Sequence, residues 1–325
     1  MEVISSKWEI LVHKLSALRW VLGLAFIALT LLLVGCTGDN VRIDFARREQ
    51  PTPLPTTSPP SAVAIRMAVA PILPALVTSD IYQQLADYVG EKLGQPVELV
   101  QGKTFAEIND LVKSGDASLA LVGTLPYLQG REDFGMELLV APMVNGETFY
   151  YSLLIVRRDV EANSLADLRG ASFAFSDPMS NAGRLAPLYQ LARMGQTPDS
   201  FFSRTIFTYS YGGSIRAVAD GIVTAAAESS LVFDYLSRAE PALIERIKVV
   251  ERWGPFGINP FVVSPHLDPR LKEQLRQIFL DMDTDPQGKL VLRKIGVDRF
   301  VIPDDSIYDS VRLMWSYVRG RGLTP

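Results

Sequence analysis

Cysteine occurs once in the 325 residues, as Cys36, and histidine twice, as His13 and His266. A lone cysteine cannot form an internal disulfide, and it excludes the multi-cysteine metal sites. With His13 in a segment expected to be removed, no histidine pair remains for a metal or for a nucleophile–base couple. Only carboxylates, Lys, Ser and Tyr are left for catalysis, and no spacing among them suggests a dyad. A protein that is not an enzyme and carries no cofactor or metal is therefore expected. His266, in VVSPHLDPR, reads as a surface histidine in a Pro-flanked turn. Dense Lys/Arg blocks are also missing and the formal net charge is −4, which argues against a nucleic-acid partner. What is present is a globular balance of 48% hydrophobic and 21% charged residues. The length allows one large or two ordinary domains.

The N-terminal stretch carries Lys7, Lys14 and Arg19 and then an uncharged run from Trp20 to Gly35. That run is shorter than the roughly 20 residues of a bilayer-spanning helix. A basic start, a short apolar run and small residues at its end are the marks of a secretory signal. The ending Leu33-Val34-Gly35-Cys36 resembles the bacterial lipobox, in which the cysteine is lipidated and becomes the new N-terminus. Residues 1–35 then read as a lipoprotein signal peptide, the alternative being an uncleaved anchor with an incidental cysteine. Residues 36–62 read as the lipidated Cys36 followed by a linker. Pro51, Pro53, Pro55, Pro59 and Pro60 make that linker extended and semi-rigid.

From Ile65 onward, short β-branched runs alternate with helical periodicity. AIRMAVA predicts a strand, and SDIYQQLADYVGEKLG a helix with Ile81, Leu85, Tyr88, Val89 and Leu93 on one face, closed by Gly94. PVELV is a strand. Thr104 and Glu107 form a capping box for a helix through Val112 that Gly115 ends. SLALVG and ELLVAPMV follow as strands. A second set begins after YYSLLIVRR: ASFAFSD, RTIFTYS and VTAAAES as strands, and AGRLAPLYQLARMG and GSIRAVADG as helices. IKVVERWGPFGINPFVVS reads as a return crossing, and three helical stretches complete the chain. Such alternation implies an α/β fold of two lobes, each a mainly parallel sheet flanked by helices, with two crossing strands as the hinge. The expected division is 63–152 for the first part of lobe 1, 153–252 for lobe 2, and 253–325 for the return crossing and C-terminal helices on lobe 1. No repeat at solenoid periods stands out.

Seven stretches in this order resemble the phosphate/phosphite/phosphonate-binding proteins of ABC importers, a branch of the type II periplasmic binding proteins. They are LADYVGEKLGQPVELV; LVKSGDASLALVGTLPYL; YYSLLIVRRD with SLADLRGASFAFSDPMSNAG; FTYS; AVADGIVTAAAES; NPFVVSPHLDPRLKEQLRQIFL; and GVDRFVIPDDSIYDSVR. The resemblance spans about residues 65–310. It implies a two-lobed module that closes on a small solute and delivers it to a membrane permease, here as a monomer held outside the cytoplasm by its lipid. The implied ligand is a phosphorus oxyanion.

The resemblance also points to residues. The family's oxyanion turn corresponds to Ser180-Asn181-Ala182-Gly183, a helix start whose backbone N–H groups favour an anion. Ser and Asn are also ordinary N-caps. Where the family has a Ser-His-Asp run, this chain has Ser210-Tyr211-Gly212, so a phenol stands in for a histidine. Where the family has an aspartate at the end of a later strand, either Glu228 or Ser229 takes the place. A charged Glu228 in the cleft would repel a dianion and suit an amine-bearing solute. As a solvated carboxylate at a strand end it would touch nothing. On the first lobe, Tyr127 in GTLPYL falls at the cleft by resemblance, although an aromatic there also suits a core, and Thr124 precedes it at an expected helix start. Tyr150, Tyr151 and Asn259 on the crossings and the Pro71–Pro74 loop complete the candidates. Transport and ligand sensing for a membrane signalling partner both need only ligand-dependent closure, and an amine-bearing or neutral solute stays open beside the oxyanion.

Overall fold

A computed structural model describes residues 65–72 and 75–323. The expected signal peptide, Cys36 and the expected linker lie outside the described residues. The first sheet is built from β1 (Ile65–Val69), β2 (Val97–Gln101), β3 (Leu119–Leu121), β4 (Glu137–Met143), β10 (Phe261–Val263) and β11 (Arg299–Val301), in the spatial order β11-β4-β10-β3-β1-β2. β1 pairs in parallel with β2 and β3, as βαβ connections through helices require. Those helices are α1 (Ala75–Leu93) and α2 (Phe105–Ser114), and α3 (Thr124–Phe134) follows β3.

Local signals explain much of this. α1 buries Leu85, Tyr88 and Val89, spaced for one face of a helix. Thr104 caps α2 by accepting the Glu107 N–H at 3.2 Å, and Gly115 ends it at φ 80. The Glu107 carboxylate reaches back to the Lys103 N–H at 2.6 Å, one residue short of the cap that a strict capping box would bond.

The second sheet has the order β7-β6-β8-β5-β9. Its members are β5 (Phe149–Arg157), β6 (Ser172–Phe175), β7 (Arg204–Phe207), β8 (Ala225–Ser229) and β9 (Ile247–Gly257). β6 pairs in parallel with β7 and β8, while β5 runs antiparallel between β8 and β9. Parallel pairing thus describes only the βαβ core of each lobe: β10 and β11 make the remaining pairs of the first sheet antiparallel, and the crossing strands do so in the second, so neither sheet is mainly parallel. Both crossing strands lie in the second sheet along their whole length, so that sheet begins at Phe149 and ends at Gly257. Helices α4 (Ala186–Arg193), α5 (Pro198–Phe201), α6 (Tyr211–Ala219), α7 (Ser230–Ala239) and α8 (Pro241–Ile244) belong to this lobe.

Of the three C-terminal helices, α9 (Pro269–Asp281) and α10 (Pro286–Ile295) cover the first sheet, packing on α1. The last, α11 (Asp309–Arg319), lies instead across both lobes, against α3, α4 and β9, with Tyr317 edge-on to Tyr189 at 5.1 Å. Placement on lobe 1 alone therefore describes two helices of the three. One apolar core runs from Ala68, Ile108 and Leu125 of the first lobe into Phe173, Leu188 and Ile215 of the second. A separate core fills the outer face of the first sheet.

That outer core centres on Phe261, Phe279 and Phe300, whose ring centroids lie 4.8–5.6 Å apart. Phe279 is fully buried, so Phe279→Ala should lower the unfolding free energy by about 3–5 kcal/mol, read as a drop in the urea midpoint at unchanged slope.

Candidate functional site

The helix after β6 does not begin as an ordinary α-helix. Pro187 has no N–H to offer the Gly183 carbonyl one turn back. That carbonyl accepts the Ser176 N–H instead, at 3.3 Å, and the chain winds wider through Asn181–Leu185, with Leu185 N–H bonding Ser180 O at 2.9 Å. Such π-turns are frequent at functional sites. Three further contacts hold the turn. Ser180 Oγ accepts the Gly183 N–H at 2.8 Å, and the Ser152 hydroxyl of β5 donates to Ala182 O at 2.8 Å. Gly183 packs so closely that a Cβ would fall 1.8 Å from Ser176 Oγ.

Around this turn the structure gathers hydroxyls from both lobes. Ser180 Oγ and the Tyr211 hydroxyl, from the first turn of α6, lie 2.7 Å apart. Asn181 Nδ2 donates to the Tyr150 hydroxyl at 2.9 Å. Thr124, the first residue of α3, brings Oγ1 to 3.4 Å from the same hydroxyl and donates to Gly257 O at 2.8 Å. Asn259 Oδ1 stands 3.3 Å from that Oγ1. Helix starts from the two lobes therefore converge on one phenol, and each start carries partial positive charge. Ser180, Asn181, Thr124 and Tyr211 are all buried.

Glu228, at the end of β8, is 0% exposed. Burial pushes its carboxyl well above the usual carboxylic range, against only the Ser229 N–H bonded to Oε1. Burial thus favours its neutral form, a hydrogen-bond donor rather than a repelling charge. Burial also raises the Tyr211 phenol well above 10, helped by neighbouring Tyr150, so Tyr211 stays protonated as well. Three buried atoms here have no hydrogen-bond partner among the described residues: Ser176 Oγ, Asn181 Oδ1 and Glu228 Oε2. Arg184, in the same turn, has its guanidinium 5.0 Å from the Phe207 ring centroid and its Nε buried and unpaired among the described residues.

The remaining candidates sit elsewhere. Tyr127 is buried with its ring 5.0 Å from that of Tyr308. Its hydroxyl donates to Asp305 Oδ1 at 2.6 Å and accepts from Arg131 at 2.9 Å. Burial and the Asp305 hydrogen bond push it up to about 12. That hydroxyl is not brought to the Ser180 turn. Ser210 spends its side chain capping α6, accepting the Gly213 N–H at 3.0 Å. Ser229 is buried beside Glu228. Pro71 and Ile72 are described but Leu73 and Pro74 are not.

Asp177 is a participant that the sequence reading missed. It is buried on the second lobe, yet its Oδ2 accepts the Phe105 N–H at the start of α2 on the first lobe, at 3.3 Å. Oδ1 accepts the Met179 N–H at 2.7 Å. Its place just past the end of β6, the ligand edge of an open α/β sheet, was the available signal.

Two α/β lobes joined by paired crossing strands, with a buried donor cluster between them, define a type II periplasmic binding protein. More closely, the chain belongs to the family described as ABC transporter, phosphonate, periplasmic substrate-binding protein, whose model matches residues 67–308. It is 25% identical over 211 residues to the phosphonates-binding periplasmic protein of Escherichia coli (strain K12), a match spanning 63% of this chain and 62% of that protein. In fold it is similar to a binding protein component of an ABC phosphonate transporter from Pseudomonas aeruginosa, with TM-score 0.75, 22% identity, and 79% and 87% of the two chains covered. PhnD1 from Prochlorococcus marinus, in complex with methylphosphonate, is similar at TM-score 0.72 and 18% identity, over 80% of this chain and 98% of that one.

The buried acid has a measurable consequence. Because its folded pKa lies above the unfolded value, Glu228 favours folding most at low pH. That contribution is lost as pH rises from the ordinary glutamate range, by up to about 1.4 kcal/mol per pH unit. Glu228→Gln removes the titration. The variant should melt above the wild type at about pH 7.5, and the gap should close near pH 4.

Proposed function

We propose that this chain is the extracytoplasmic solute-binding component of an ABC importer, and that it closes on a phosphorus oxyanion, a phosphonate before phosphite or phosphate. The observation that carries this reading is the convergence of two helix starts, one from each lobe, on a cluster of buried neutral donors at the Tyr150 hydroxyl. Family membership and the likeness to the phosphonates-binding protein of Escherichia coli support it.

The ligand enters by displacing the contacts among Tyr150, Asn181 and Thr124. Ser180, Asn181, Tyr211 and the Ser176 hydroxyl donate to its oxygens, and neutral Glu228 adds a donor. Asn181 Oδ1, which lacks a protein partner, accepts the P–OH of a monoanion. Gly183 keeps the turn close. Ser210 and Ser229 act through their neighbours, and Tyr127 braces α3 against Asp305. Recognition of an amine would need Glu228 ionised, and its burial works against that. Cys36 carries the lipid that tethers a monomer to the membrane, and the permease there is the partner.

Thermal shifts of the full-length chain test the ligand class against phosphate, phosphite, methylphosphonate, 2-aminoethylphosphonate, sulfate and simple amines. A ligand at a hundred times its dissociation constant adds about 2.7 kcal/mol, several degrees at this size. Methylphosphonate should give such a shift, and Ser180→Ala combined with Asn181→Ala should abolish it while the unliganded melt persists. Shifts with amines alone would overturn the oxyanion reading. For the anchor, Cys36→Ser should move the protein from the membrane fraction to the soluble one.

A further inference from the structure

Beside the donor cluster lies a cavity of about 290 Å3 between the lobes. The two share a residue: Asn259 lines the cavity and also stands 3.3 Å from Thr124 Oγ1. From there the wall turns apolar, with Leu121, Ile258 and Phe261 from the first lobe's side and Val232 from α7. Its rim is basic. Arg238 of α7 faces Arg293 and Lys294 at the end of α10 across the cavity, with Asp234 the carboxylate among them. None of these four has an ion pair among the described residues.

We infer that this cavity seats the organic substituent of the ligand, so that the protein selects an organophosphorus oxyanion with an apolar carbon chain or ring over the inorganic ions. The inference rests on the oxyanion reading of the neighbouring cluster. Inorganic phosphate or phosphite would occupy the donors and leave the apolar wall without contacts, and lost contacts of that kind forfeit dispersion energy. A carbon substituent directed past Asn259 covers that wall. The excess of basic charge at the rim favours a far end that is neutral or anionic and disfavours an aminoalkyl end.

Titration calorimetry on the full-length chain with straight-chain alkylphosphonates from methyl to hexyl tests this. Affinity should rise about fourfold per methylene until the cavity is filled. A carboxyalkylphosphonate should bind more tightly than the aminoalkylphosphonate of equal length. Val144→Phe and Val297→Phe, at two lining positions, should each flatten the series, with their unliganded melting temperatures as the check on folding. If methylphosphonate binds and longer chains bind no better, the inference is overturned and the oxyanion reading stands. If no phosphonate binds, the oxyanion reading falls, and the inference that rests on it falls with it.

Discussion

The pairing of β5 with β9 is the constraint from which the site follows. β5 bonds to β9 on one side and to β8 on the other, in a register that sets Ser152 beside both Ser229 and Trp253 and puts Phe149 opposite Gly257. The start of β5 and the end of β9 therefore reach the lobe boundary together, and β8 ends three residues further in, opposite Ser152. Tyr150, Glu228 and the Gly257 carbonyl are delivered there by backbone geometry, before any side chain chooses a partner. Because β5 and β9 are also the connections between the lobes, the same ladder that shapes the site carries the hinge.

On the proposed reading, the site prepares for an anion largely without cations. Full positive charges would need desolvation as the lobes meet, which is costly unless each is paired. Helix starts and buried neutral donors avoid that cost. The Ser180 turn is an example: the donor missing at Pro187 releases a carbonyl to Ser176 and opens the winding. Glu228 follows the same logic, since burial favours its protonated carboxyl, which presents a hydrogen where an ionised one would present a charge.

Local features were legible in the sequence. The alternation of strands and helices, the Thr104 cap, the glycine stops and the helix start at Ser180 all arise from residues within a turn of one another. What stayed hidden depends on partners far apart in the chain. Nothing near Tyr127 announces Asp305, 178 positions on, and nothing near Asp177 announces the backbone of Phe105. Glu228 could be read as a solvated strand end because its burial is created by helices packing over it. β11 is three residues long, too short for any periodicity. The position of α11 across both lobes follows from tertiary packing, since its apolar stripe would suit either sheet.

Asp177 bears on time rather than affinity. A carboxylate of the second lobe that caps a helix of the first is a bond the protein makes with itself whenever the lobes meet. Such a bond lowers the free energy of the shut form whatever lies inside, and so offsets part of what a solute must supply to bring the lobes together. The same bond has to break before the solute can leave. In the proposed binding cycle, residence time is thereby set partly by a contact the cargo never touches. A partner able to draw the start of α2 away from Asp177 would hasten release without reaching into the cleft.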